Sequence, residues 1–299
     1  MMAKEGSEPW RFAHLAMGTT FELFVAGEER SYSLQASQAV FSEIDRLERL
    51  FSRFDPSSDI GQINGLTPGG SVRVGVETYE CLRTALWAFE VTSGAFDIHV
   101  PSLTSGGGRA LPEILELRRT PEGFVAGVSP TGEAERSAPL ELDLGGIGKG
   151  YALDRAAEIL VEWGIKRALV HGGTSTALAL GAPGKEGARS KGWAVRVGGD
   201  WECPEAPREV WLCGRALSGS GTEVKGPHII DPRSGEAASG HLAAWVGHTS
   251  AAVADALSTA FVVMGHEEVR RFCREHPEVW AMVITPDGEA RVFNRDAMD

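Results

Sequence analysis

The 299-residue sequence has few cysteines, no long apolar run and no stretch dominated by basic residues. Its four cysteines show no CxxC spacing, so a zinc or redox motif is unsupported, and a disulfide framework is not expected at this size. Acidic residues outnumber basic ones and give a net charge of −12, which argues against nucleic acid and anionic membranes as partners. No segment approaches the roughly 20 apolar residues of a membrane span.

The N-terminus lacks both an apolar run of signal-peptide length and a lipidation cysteine. We therefore expect a cytoplasmic protein, with a removed leader as the alternative. The hydrophobic content of 42% is enough for an ordinary core. The acidic balance disfavours a phosphate-rich ligand unless a cation accompanies it, which is one reason to expect a metal ion.

Three segments carry the residue types of a metal-assisted phosphate site. They are LDLGGIGKGYALD (142–154), HIIDPRSG (228–235) and ADALSTA (254–260). Glycine allows a ligand to approach the main chain closely. Asp and Thr supply the hard oxygen ligands that Mg²⁺ prefers, whereas His and Lys supply proton transfer and positive charge. Together the segments suggest a magnesium-assisted site for a phosphate-rich molecule.

The glycine segment matches neither of the common phosphate-binding patterns. A P-loop needs Ser or Thr after Gly-Lys, but Gly150 follows Lys149, and Asp143 stands at the position of the first P-loop glycine. The dinucleotide pattern GxGxxG also fails, because Tyr151 replaces its last glycine. Two interpretations stay open: a structural strand–turn–helix, or a phosphate held by the free N–H groups at the helix start.

The hydrophobic spacing predicts mixed helices and strands. The predicted helices are 31–51, 79–91, 149–163, 250–264 and 266–276. The predicted strands are 21–25, 140–144, 167–170, 177–180, 193–197, 210–213, 242–246, 280–284 and 290–293. Residues 54–67 are predicted to form a polar loop and residues 104–109 a glycine-rich link. The mixture favours α+β layers rather than a doubly wound parallel sheet.

Further short motifs accompany the three segments in a fixed order. They are Met17-Gly18-Thr19, Ser52-Arg53-Phe54, Ser58-Asp59-Ile60 with Asn64 behind it, Gly94-Ala95-Phe96-Asp97, Gly172-Gly173 and Ser218-Gly219. From residue 17 to about 265, this ordered set resembles the ApbE family of FAD:protein FMN transferases. The resemblance implies a duplicated antiparallel-sheet core with outer helices and a flavin cleft between the halves. We expect residues 1–16 to be an N-terminal extension and residues 17–299 a single domain.

The resemblance also implies a Mg²⁺ site made of Asp255, Thr259 and the main-chain carbonyl of Gly148. Asp255 and Thr259 are four residues apart on a predicted helix and therefore share one face. The alternative without a metal is a surface Asp and a Thr hydroxyl that donates a hydrogen bond to the carbonyl four residues earlier. The apolar neighbours of the pair favour the metal, because a carboxylate in such surroundings needs a partner.

The resemblance makes His228 the base that takes the proton from the acceptor hydroxyl. A purely structural role in its Pro-flanked turn is the alternative, and His171 is a second candidate for the base. The remaining positions are expected to hold FAD, the substrate. These residues are Met17, Gly18, Thr19, Phe54, Asn64, Asp97, Lys149, Ser218 and Gly219.

The chain departs from the family pattern at three places, and the two that follow Asp97 lie beside the expected flavin pocket. Thr174 follows Gly172-Gly173 where an acid is usual, Ile98-His99 follows Asp97, and an SGGG run (105–108) replaces a Trp-Gly-Phe element. The resemblance implies transfer of FMN from FAD to a Thr or Ser of a partner protein, with release of AMP. The alternatives are an FAD pyrophosphatase and a non-catalytic FAD-binding protein.

Overall fold

The structure, a computed structural model, describes residues 8–99, 111–130, 140–184, 191–198, 207–221 and 229–298. Its strands are β1 (Trp10–Ala16), β2 (Thr19–Val25), β3 (Ser71–Val74), β4 (Leu115–Thr120), β5 (Gly123–Val128), β6 (Ala168–Gly172), β7 (Thr176–Leu180), β8 (Trp193–Arg196), β9 (Glu209–Leu212), β10 (Ala216–Gly221), β11 (Ala243–His248), β12 (Trp280–Ile284) and β13 (Ala290–Phe293). Its helices are α1 (Arg30–Phe51), α2 (Asp59–Asn64), α3 (Val76–Val91), α4 (Leu111–Ile114), α5 (Gly148–Glu162), α6 (Ala251–Val263) and α7 (His266–Glu275), followed by a 3₁₀ turn (Arg295–Met298).

Eight strands form one antiparallel sheet in the order β1-β2-β6-β7-β10-β11-β12-β13. Strands β3-β5-β4 and β8-β9 make two smaller antiparallel sheets. In the large sheet the same order of elements occurs twice. An antiparallel strand pair, a connection that contains helices and a second antiparallel pair form β1-β2-β6-β7, and the same series forms β10-β11-β12-β13. The α+β class and the large antiparallel sheet with helices are therefore confirmed.

The two faces of the large sheet carry different layers. Because side chains alternate along a strand, Val170 of β6 packs into the main core with the helices, whereas Leu169 packs with Trp193 of β8 in a second cluster. Helix α6 lies against β10, β11, α3 and α5. It is therefore apolar around most of its circumference.

The structure differs from the sequence prediction at several elements. Residues 59–64 of the predicted loop form α2, because the Ser58 hydroxyl caps the helix and accepts the N–H of Gly61 at 2.8 Å. Residues 140–144 are not a strand, and Leu142 forms an isolated bridge to His99 instead. Within the predicted extension 1–16, β1 pairs with β2 along its whole length. Strands β1, β3, β4, β5 and β10 were not predicted.

Three of the four cysteines lie in the described part of the chain. Cys81 and Cys273 are buried and Cys213 is exposed, and all three are free thiols. Burial raises the pKa of the Cys273 thiol to about 12, which keeps it protonated and unreactive. Cys203 and the predicted glycine-rich link lie outside the described residues.

No helix in the described part of the chain combines the length and the apolar character needed to cross a membrane.

Candidate metal and phosphate site

A buried carboxylate lies at the centre of the site. Asp255 on α6 is 3% exposed. Its Oδ1 accepts hydrogen bonds from the hydroxyls of Ser218 at 3.0 Å and Thr176 at 3.3 Å, both on the sheet strands below. Its Oδ2 accepts the main-chain N–H of Gly150 at 3.1 Å. These donors compensate part of the cost of burying a charge, and they hold the carboxylate in one orientation.

Lys149 brings the positive charge to this carboxylate. Its Nζ lies 3.5 Å from Asp255 Oδ2 and donates to the carbonyl of Gly145 at 3.2 Å. Lys149 is in the first turn of α5, where main-chain N–H groups have no partner within the helix. An anion near this point would meet both the ammonium group and the positive end of the helix dipole.

Close contact between α5 and α6 places Gly150 beside Asp255. A Cβ atom at Gly150 would lie 2.2 Å from the carbonyl oxygen of Ala251. Only glycine therefore lets α5 approach the start of α6 this closely. The approach brings the N–H of Gly150 within reach of Asp255, so the glycine segment and the ADALSTA segment meet as the sequence suggested.

Thr259 lies one turn after Asp255 and faces the glycine segment. A Cβ atom at Gly146 would lie 3.6 Å from Thr259 Oγ1. The hydroxyl donates to the main-chain carbonyl of Asp255 at 3.3 Å and lies 3.2 Å from the Ser220 hydroxyl. The hydrogen bond from Thr259 to the carbonyl four residues earlier, which the alternative without a metal predicts, is thus present. It still leaves the oxygen at the surface between α6 and the glycine segment.

The donors that the resemblance assigns to the metal fit Mg²⁺ better than a softer ion. Asp255, Thr259 and the Gly148 carbonyl would contribute a carboxylate, a hydroxyl and a carbonyl oxygen, which are hard ligands. Among the described residues no group of three or more His, Cys, Asp or Glu side chains is arranged to hold a metal. A site with one carboxylate suits Mg²⁺, which keeps several waters and takes ligands from substrate phosphates.

Three of the other motifs converge at one end of the sheet. Met17 and Gly18 both have positive φ, +49° and +68°, and form the two-residue turn of the β1–β2 hairpin. Thr19 follows directly, and a Cβ atom at Gly173 would lie 2.5 Å from its hydroxyl. From there the carbonyl of Ser175 accepts the N–H of Gly219 at 2.8 Å. The MGT, GG and SG motifs are therefore neighbours.

Ser218 and Gly219 point to opposite faces of the sheet. Ser218 is fully buried against Asp255 on the helix side. A Cβ atom at Gly219 would lie 2.7 Å from the ring of Trp245 on the other side. Of this predicted pair, Ser218 belongs to the site, whereas Gly219 allows Trp245 to pack closely against the strand.

Asn64 and Asp97 bond to main-chain atoms near the site. The side-chain amide of Asn64 donates to the carbonyl of Leu142 at 3.2 Å and accepts the N–H of Leu142 at 2.7 Å. Asp97 Oδ1 accepts the N–H of His99 at 2.8 Å. Because His99 bridges to Leu142, both side chains support the chain that leads into the glycine segment.

Phe54 lies on the surface just after α1. It is 83% exposed, and the Arg53 guanidinium lies over its ring at 4.8 Å from the ring centre. Arg53 Nε is also 3.5 Å from Asp143 Oδ2, at the beginning of the glycine segment. The exposed ring face is available for stacking against a planar ligand.

The two candidate bases have different positions. His228 lies outside the described residues, but its neighbour Ile229 begins a tight turn in which the guanidinium of Arg233 donates to Asp231. His171 alternates with Val170 on β6 and therefore faces away from the helices, with Phe24 beside it. Burial lowers the pKa of His171. The structure does not bring His171 to the face that carries Asp255.

Comparisons with known proteins cover nearly the whole chain. The sequence profile of the ApbE family matches residues 17–284. The chain belongs to the ApbE family. It is 29% identical to the FAD:protein FMN transferase of Treponema pallidum (strain Nichols), over 93% of this chain and 85% of that protein. It is 25% identical to the FAD:protein FMN transferase of Escherichia coli (strain K12), over 92% and 83% of the two chains.

Solved structures of ApbE proteins have the same fold. The crystal structure of the ApbE protein from Thermotoga maritima matches 96% of this chain and 97% of its own, with a TM-score of 0.75 at 25% identity. The apo flavinyl transferase ApbE of Pseudomonas stutzeri matches 99% of both chains, with a TM-score of 0.79 at 20% identity. The large antiparallel sheet with outer helices that the resemblance implied is thus confirmed as the fold of ApbE proteins.

In this ApbE-family chain, sequence reasoning missed Thr176, Gly150 and Asp154 as parts of the site. Asp154 on α5 accepts the N–H groups of Ala251 and Ala252, at 2.7 and 3.0 Å, and the Ser250 hydroxyl at 2.7 Å. Burial raises the pKa of Asp154, although these hydrogen bonds oppose the effect. An acid at the end of the glycine segment was the available signal, whereas nothing in the sequence distinguishes Thr176.

Proposed function

We propose that this ApbE-family chain transfers FMN from FAD to a Thr or Ser hydroxyl of a target protein and releases AMP. The buried Asp255 carboxylate, facing the start of α5 among hydroxyl, N–H and ammonium donors, is the observation that carries the proposal. Support also comes from the relatives named FAD:protein FMN transferase, which align along most of their length.

In this proposal Asp255, Thr259 and the Gly148 carbonyl hold Mg²⁺ on the helix side of the sheet. Bound there, Mg²⁺ supplies positive charge that neutralises the FAD pyrophosphate. The Lys149 ammonium group contacts the phosphate oxygens at the positive end of the α5 dipole. Phe54 stacks on a ring of FAD, and the Met17-Gly18-Thr19 turn lines the flavin side.

The chemical step needs a base for the incoming hydroxyl, and we assign this role to His228. His228 takes the proton as the hydroxyl oxygen forms a bond to the FMN phosphorus. The bond between that phosphorus and the bridging pyrophosphate oxygen breaks, and AMP leaves with the electron pair. The product is a phosphoester-linked flavoprotein.

One assay distinguishes this function from its alternatives. Purified protein is incubated with FAD, Mg²⁺ and a peptide that carries a flavin-acceptor threonine. A matched peptide with Val in place of that Thr is the control. We expect a covalently attached, fluorescent flavin on the Thr peptide alone, and release of AMP in an amount equal to the attached flavin. Free FMN and AMP with either peptide would indicate a pyrophosphatase, and unchanged FAD would indicate a binding protein.

A further inference from the structure

Lys149 and a metal ion compete for the same negative charge. The Asp255 carboxylate is buried and accepts two hydroxyls and one main-chain N–H. These neutral donors leave its charge uncompensated, and the ammonium group of Lys149, 3.5 Å from Oδ2, compensates it. A divalent cation ligated by Asp255 would stand next to this ammonium group, and the two positive charges would repel each other.

We propose that Lys149 is the counter-ion of Asp255 in the metal-free protein. Mg²⁺ displaces the ammonium group of Lys149 from Asp255, and this group is then free to bind phosphate oxygens. The inference rests on the proposed function for the identity of the metal site. It goes further, because it makes the binding of metal and dinucleotide cooperative through one side chain of this chain.

The surroundings of Lys149 allow the exchange. Its side chain is 23% exposed, so the ammonium group lies at the edge of the site and reaches solvent without passing through the core. Its second partner is the carbonyl of Gly145, which a water molecule can replace. Lys149 lies in the first turn of α5, so a short movement takes the ammonium group from Asp255 towards an anion at the helix start.

Replacement of Lys149 therefore has opposite effects on metal and nucleotide. In Lys149→Met no ammonium group opposes the metal, and we expect Mg²⁺ to bind the nucleotide-free protein at least about tenfold more tightly, or about 1.4 kcal/mol. ADP, used as the pyrophosphate probe, should bind more weakly in the presence of Mg²⁺. The factor by which saturating Mg²⁺ strengthens ADP binding should fall.

Calorimetry on metal-stripped protein tests this inference without any measurement of activity. Lys166→Met is the matched control, because it removes an exposed lysine beyond the far end of α5. Lys149→Gln repeats the test with a polar side chain. A Mg²⁺ affinity of Lys149→Met at or below that of the wild type would overturn the exchange, and so would an equal gain in Lys166→Met.

Asp255→Ala separates failure of this inference from failure of the proposed metal site. If Asp255→Ala binds Mg²⁺ as the wild type does, the assigned metal site is wrong. The proposed exchange of Lys149 for Mg²⁺ at Asp255 is then wrong as well. If Asp255→Ala loses Mg²⁺ and Lys149→Met gains nothing, only the exchange is wrong. Absence of Mg²⁺ binding in both the wild type and Lys149→Met would also overturn it.

Discussion

Asn64 holds Leu142 through both main-chain groups, donating to its carbonyl and accepting its N–H. The side chain thereby acts as a short piece of strand that pairs with the chain leading into the glycine segment. Leu142 is fully buried, so its two polar groups have no access to bulk water. This pairing explains why the apolar residues around Leu142 do not join a sheet.

Asn64→Ala should lower the free energy of unfolding by about 1–3 kcal/mol, because both buried groups of Leu142 lose their partner. Urea denaturation followed by circular dichroism measures the change. Gln62→Ala, on the exposed side of the same helix, is the control and should change stability by less than about 0.5 kcal/mol. Equal effects of the two substitutions would contradict the role of Asn64.

Gly150→Ala should destabilise the protein, whereas Gly148→Ala should be tolerated. The new methyl group at residue 150 would lie 2.2 Å from a main-chain oxygen of α6. At residue 148 it would make ordinary contacts of 3.6 Å with Leu144 and Phe51. We expect a loss of about 1–3 kcal/mol or more for Gly150→Ala. Thermal unfolding compares the variants, and equal melting temperatures would refute the close approach of the helices.

Asp255→Ala should abolish Mg²⁺-dependent conversion of FAD and leave the fold largely intact. The substitution removes the carboxylate that we assign to the metal and leaves its hydroxyl and N–H donors in place. Release of AMP, measured by chromatography with and without Mg²⁺, tests this expectation, with circular dichroism as the check on folding. Wild-type turnover by the variant would show that the metal site lies elsewhere.

His228→Ala should slow AMP release at least about a hundredfold while FAD affinity stays near the wild-type value, because a base acts mainly in the transition state. Single-turnover AMP release at saturating FAD and acceptor gives the rate. His171→Gln is the matched control, since His171 is on the opposite face of the sheet, and it should react at close to the wild-type rate. Unchanged release by His228→Ala would remove His228 from the mechanism.

His248 should make the folded state less stable below neutral pH. Burial lowers the pKa of His248, and its Nδ1 accepts the N–H of Ser250 at 3.0 Å, which requires an unprotonated nitrogen. The unfolded chain then binds a proton that the folded chain does not. The stabilisation is complete above the ordinary pKa of about 6.5 and is lost as pH falls through the lower folded value.

His248→Gln should weaken this dependence on pH, because the Gln carbonyl can accept the same N–H without titrating. The slope that one histidine contributes is at most about 1.4 kcal/mol per pH unit. Urea unfolding of the wild type and the variant at pH 7.5 and at about one unit below the ordinary histidine pKa measures the difference. Parallel curves for the two proteins would exclude His248 as the source.

The sequence predicted the elements whose local pattern agrees with their final environment. Helix α1 and helix α6 were found because their apolar residues recur at helical spacing or fill the whole segment. Strand β10, with the sequence ALSGSG, has little intrinsic strand preference. It is a strand because β7 and β11 pair with it on both sides, and that pairing depends on the tertiary fold.

The same distinction applies to the candidate site. Asp255 could be selected because a carboxylate among apolar helix residues is unusual in itself, and the resemblance to the ApbE family added Thr259. Thr176 could not be selected in this way, because its role in the site depends on its position opposite Ser218 on the neighbouring strand. The opposite orientations of Ser218 and Gly219 follow from strand alternation, which required that β10 be recognised first.

Three links join α5, from the first half of the chain, to α6, from the second: Gly150 to Asp255, Lys149 to Asp255, and Asp154 to the start of α6. Neither half therefore contains the whole carboxylate environment. A ligand bound at this point would contact both halves near the place where β7 pairs with β10, and it would thereby hold the two halves together. Its binding free energy would then oppose unfolding of both halves at once, and partial opening of either half would release the ligand.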